Sequence, residues 1–94
     1  MLGKWIMNKS ISNNPIYWEC KIDGHDKFWA AKIIEYVPDA SSKSQKEYTL
    51  IRRWGSIGTD GQKMEQTYYD IYKAEVELGK LIRDKERKGY KAVF

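Results

Sequence analysis

The chain has 94 residues, 41% of them hydrophobic and 32% charged, with a formal net charge of +4. That is enough for one small domain with a modest core, and too much apolar content for a disordered chain. The single Cys20 and single His25 exclude an intrachain disulfide and a four-ligand zinc site, no apolar run approaches the about 20 residues of a membrane helix, and the apolar patch in "MLGKWIMNKS" is too short for a signal peptide.

A cytoplasmic protein without cofactor or metal is the expectation. The charge is uneven: residues 1–47 hold seven Lys/Arg against six Asp/Glu, and 48–94 hold ten against seven. The basic excess in the second half leans toward polyanions, nucleic acid above all, or an acidic protein.

Residues 1–14, ending in the polar "NKSISNN", read as a flexible N-terminal arm in which Trp5 and Ile6 can dock, with the ordered domain over 15–94. From Ile16 the pattern alternates strictly: Ile16, Trp18, Cys20 and Ile22 lie on one side, Tyr17, Glu19 and Lys21 on the other, as in a half-buried strand. "DGHD" then turns the chain. The run "KFWAAKIIEYV" is a second strand closed by Pro38, and "PDASSKSQK" has the composition of a surface loop.

"YTLIRRW" makes a third strand, and the Asp-Gly of "GTDGQ" suits a tight hairpin returning as "QKMEQTYY". From Asp70 the period changes: Ile71, Ala74, Leu78, Leu81 and Ile82 recur at three- and four-residue steps, predicting a helix with Asp70 as N-cap that ends near Lys88 and Gly89. "GYKAVF" can form a short last strand. The expected fold is α+β: an antiparallel sheet of about four strands with one long C-terminal helix across a face.

The segment "RRWGSIGTDGQ", followed by "ERKGYKAV", resembles the WGR domain, the module named for a Trp-Gly-Arg triplet that occurs in poly(ADP-ribose) polymerases and in bacterial proteins. The resemblance runs from about Ile16 to Val93 and includes the strand "KFWAAKI", the series Gly55, Gly58, Gly61 and Gln62, Ala74, and Lys88-Gly89-Tyr90. It implies a non-enzymatic module that recognises DNA breaks, its tryptophan packing on a sugar at a strand end and its arginine linking DNA to a neighbouring domain. Carried over, these are Trp54 and Gly55, with Ser56 in place of the arginine. A serine offers no forked cation, so the interdomain link loses its basis here and the DNA contact is weakened.

The expected ligand site is a sequence-independent sugar-phosphate clamp of Arg52, Arg53, Trp54, Gly55, Lys63 and Lys88, with DNA as the leading ligand and docking on a partner protein domain as the alternative. Two readings of Trp54 stand open, core packing beside Leu50 and Tyr48 or an exposed stacking platform. Trp18 and Trp29 are assigned to the core. Alternation puts Arg52 and Arg53 on opposite faces, so at most one shares the side of Trp54. The basic cluster from Arg83 to Lys91 is explained by helix-dipole complementarity without a ligand. No Gly-Lys-Ser/Thr follows the glycines, which excludes a phosphate-cradling nucleotide loop, and no acid, base and nucleophile set suggests an enzyme.

Overall fold

The computed structural model describes residues 5–10, 16–38 and 46–93, of which 5–10 and 37–38 are described by their backbone alone. Strands β1 (Trp5–Ser10), β2 (Tyr17–Cys20), β3 (Lys27–Pro38), β4 (Glu47–Ser56) and β5 (Gln62–Tyr68) precede helix α1 (Ile71–Arg87), and β6 (Lys91–Ala92) follows it. All pairings are antiparallel, in the order β5-β4-β3-β2-β6, with β1 also paired to β3. This is the α+β arrangement expected, with six strands among the described residues where about four were read.

β6 is the short last strand expected from "GYKAVF", and β1 is the addition. Trp5–Ser10, expected within a loose arm, pair with the far half of β3, where the four-residue β2 has already ended. Residues 1–4 and 11–14 of that arm, and 39–45 of the loop, lie outside the described residues.

Register fixes which residues share a face, because directly paired residues point the same way. One row contains Trp18, Trp29, Trp54 and Gln62; the next Ala31, Arg52 and Met64; the next Ile33, Leu50 and Gln66. Of these, Trp18, Trp29, Ala31, Ile33 and Leu50 are buried in one cluster with Ala74 and Leu78 of α1. The helix therefore covers this face. Burying side chains of this size contributes about 1.5–3 kcal/mol each for the larger aliphatic ones. The Trp18 and Trp29 rings tilt against each other with centroids 4.9 Å apart, and Trp18 Nε1 donates to Glu86 Oε2 at 3.1 Å, so the buried indole keeps a polar partner.

Both helix ends follow from their residues. Asp70 is extended and its Oδ1 accepts from the Tyr72 amide at 2.9 Å. At the other end Lys88 is the C-cap and Gly89, at φ 103°, the residue after it. The Tyr90 amide donates to the Lys85 carbonyl and the Gly89 amide to that of Glu86, both at 3.1 Å, which is the Schellman arrangement.

The chain contains two Asp-Gly dipeptides, and the tight turn belongs to the first. Asp23 and Gly24 both have positive φ, and the His25 amide donates to the Ile22 carbonyl at 3.0 Å, as in a type I′ hairpin turn. The β4–β5 connection is longer than the tight Asp60-Gly61 hairpin expected. Its turn runs from Ser56 to Thr59, with the Thr59 amide donating to Ser56 O at 3.1 Å and Gly58 at φ 92°. That is the third turn position, which favours glycine.

Candidate nucleic-acid interface

Arg52 and Trp54 share the helix-covered face of β4, and Arg53 lies on the other. Trp54 is neither sealed nor fully presented: its ring packs against the edge of the buried cluster and remains partly exposed. Both readings of this residue thus describe part of it. Beside it, Arg52 Nη2 donates to Gln66 Oε1 at 2.8 Å and lies against Met64 Sδ, while its Nε is shut off from solvent without a hydrogen-bond partner among the described residues. Arg52 is a positioned charge rather than a free fork.

The last turns of α1 bring further cations toward Arg52. The Lys85 ammonium sits 5.2 Å from the centre of the Tyr90 ring, a cation–π distance. Its pKa is held below the usual lysine value, first by burial and then by the charge of Lys88, with Arg52 adding to the effect and Asp84 opposing it. Lys88 is ion-paired to Asp84 at 3.2 Å and remains well exposed. Lys85 therefore lies within electrostatic reach of both Lys88 and Arg52.

Lys85 was not among the residues expected at the site. Its signal was available: it lies four residues after Leu81 and seven after Leu78, on the continuation of the apolar helical stripe.

Arg53 and Lys63 occur elsewhere. They are direct cross-strand partners on the open face of the sheet, where with Lys32 they line a cleft of about 360 Å3. Lys63 is paired to Glu65 at 2.9 Å. The six residues read as one clamp thus divide: Arg52 and Trp54 share one face, Arg53 and Lys63 share the other, and Lys88 is at the helix end, paired with Asp84.

Gly55 and Gly61 have a packing role. A Cβ on Gly55 would lie 2.8 Å from the Gly61 Cα, and a Cβ on Gly61 would run into the Trp54 carbonyl. The absence of side chains lets the mouth of the hairpin close behind Trp54. Ser56, at the position of the family arginine, starts the turn: its carbonyl accepts from Thr59 Oγ1 at 2.7 Å as well as from the Thr59 amide.

A family model described as the WGR domain matches residues 8–93, nearly the whole chain. The chain belongs to the WGR domain family. No curated protein and no solved structure matches it. The WGR domain is a binding module rather than a catalytic one. In this WGR domain no described helix is long and apolar enough to cross a membrane, and no group of three or more potential metal ligands occurs among the described residues.

Proposed function

We propose that this WGR domain binds nucleic acid without sequence preference, DNA ends or single strands above all, through the helix-side surface where Trp54 emerges from the core. The observation that carries this reading is that Trp54, a partly exposed indole, shares its sheet face with Arg52, whose charge also acts on Lys85 of the helix that covers this face. Crowded cations raise the local positive potential, which phosphates relieve by displacing counterions. An indole edge offers a surface for a sugar or an unpaired base, and such contacts do not discriminate between sequences. Of the carboxylates on the helix, Asp84 is paired with Lys88 and Glu86 accepts from the Trp18 indole, while Glu77 acts on Tyr68 beside Arg52.

Lys85 replaces Arg53 and Lys63 in this reading of the site. The helix C-terminus itself disfavours an anion, and its basic residues offset that field. A second reading, docking on a partner domain, draws support from Ser56, which carries no charge to a phosphate.

Fluorescence anisotropy with labelled blunt duplex, nicked duplex and single strand at two salt concentrations tests the proposal. Binding that weakens with salt and is lost in Trp54→Ala, with the far-ultraviolet circular dichroism unchanged, supports it. Absence of binding to all three at low salt overturns it in favour of the partner domain.

A further inference from the structure

The open face of the sheet presents a second surface, independent of the Trp54 side. Helix α1 covers the opposite face, and the cleft on this one has an aliphatic floor that includes Ile16, Ile34 and Ile51, with Lys32, Arg53 and Lys63 around it. Ile16 precedes β2 and, 47% exposed, borders this floor instead of joining Trp18 on the helix side as the alternation predicted. Arg53 stands directly opposite Lys63, a like-charged cross-strand pair that costs stability unless something neutralises it. Glu65 takes up the Lys63 charge at 2.9 Å, while Arg53 and Lys32 have no carboxylate partner among the described residues.

From these features we infer that the open face docks an acidic amphipathic helix of a partner protein. Its apolar side chains would cover the isoleucine floor, and its carboxylates would meet Arg53 and Lys32. Three properties select this occupant. The cations call for an anionic partner. The floor is aliphatic and accepts Leu, Ile or Phe side chains directly, while the rings nearest Arg53, Tyr17 and Phe28, are stacked on each other with Phe28 buried, so neither offers a base a free face. The backbone groups of β3 and β4 are committed to their neighbours on both sides, so an extended peptide laid on the face would find no ladder to join, while a helix satisfies its own backbone.

The probe is a fluorescein-labelled helical peptide of about 18 residues, with leucines on one face and glutamates flanking them. Anisotropy and methyl chemical shifts are read on the full chain. The expected result is saturable binding that moves the Ile34 and Ile51 methyl signals and falls roughly tenfold or more in Arg53→Glu with Lys32→Glu. The same double variant retains nucleic-acid binding, and Lys85→Glu leaves peptide binding unchanged, so this inference and the nucleic-acid reading fail separately. Equal binding of a scrambled peptide of the same composition overturns the inference. So does an absence of shifts on the open face, or an oligonucleotide that shifts the same methyls and is lost in Arg53→Glu.

Discussion

Arg52 and Arg53, adjacent in the chain, serve opposite faces of the sheet: Arg52 is held by Gln66 on the helix side, and Arg53 faces Lys63 across the open cleft. The two arginines are expected to be separable by mutation. Lys85→Glu and Lys88→Glu, on the side of Arg52, should weaken oligonucleotide binding and reduce the salt slope by about one for each phosphate no longer neutralised. Arg53→Glu should leave both quantities unchanged. Equal losses from Arg53→Glu and Lys85→Glu in a salt titration would contradict this division.

The Lys85 ammonium is expected to titrate below the ordinary lysine value, and Lys88→Gln or Arg52→Gln should move it back upward, since both cations depress it. The sign for stability follows. Above the lowered folded-state pKa and up to the ordinary value, the unfolded chain binds more protons, so this residue makes stability rise with pH across that window. Below the window the penalty for holding the charge is fully present. Two-dimensional NMR of the lysine side chains reads the titration directly, and an unshifted Lys85 would remove the electrostatic argument.

Gly79→Ala should stabilise the protein by roughly 0.5–1 kcal/mol, the difference in helix propensity. A Cβ there meets only Arg83 Nη1 at 3.4 Å and nothing of the sheet, so the glycine is not required by close packing. Urea denaturation of the two proteins measures the change. A loss of stability would mean that the helix lies closer to its neighbours at this point than the open space around Gly79 implies.

Gly61→Ala should be strongly destabilising, by more than about 1 kcal/mol, because the added methyl has positive φ and the Trp54 carbonyl against it. Gly58→Asn should cost far less, since the space around Gly58 is open and asparagine tolerates positive φ. A thermal melt of both variants ranks them. The reverse order would contradict the packing of Gly55 against Gly61.

Much of the fold was legible from local chemistry. The alternation through Trp18 and Cys20, the apolar step from Ala74 to Leu78, the Asp70 cap and the Gly89 stop each depend on residues a few positions apart. The same holds for the strand parity that separates Arg52 from Arg53. Trp54-Gly55 and its spaced glycines marked the family.

Other features required the third dimension. Strand periodicity divides β4 into two sets of side chains but does not state which set the helix will cover, because Trp54, Leu50 and Ile51 are all apolar enough for either side. Two Asp-Gly dipeptides had equal local claim to a tight turn, and only the structure separates them: Asp23 adopts the positive φ that such a turn needs and Asp60 does not. Residues distant in sequence met through packing: Lys85 comes within the field of Arg52 because α1 lies across the sheet, and Arg53 faces Lys63 because β5 returns in one register. The sequence by itself determined the elements and their faces, since propensity and period act within a few residues. The tertiary structure alone decided which charges share a surface, since electrostatic reach depends on separation in space.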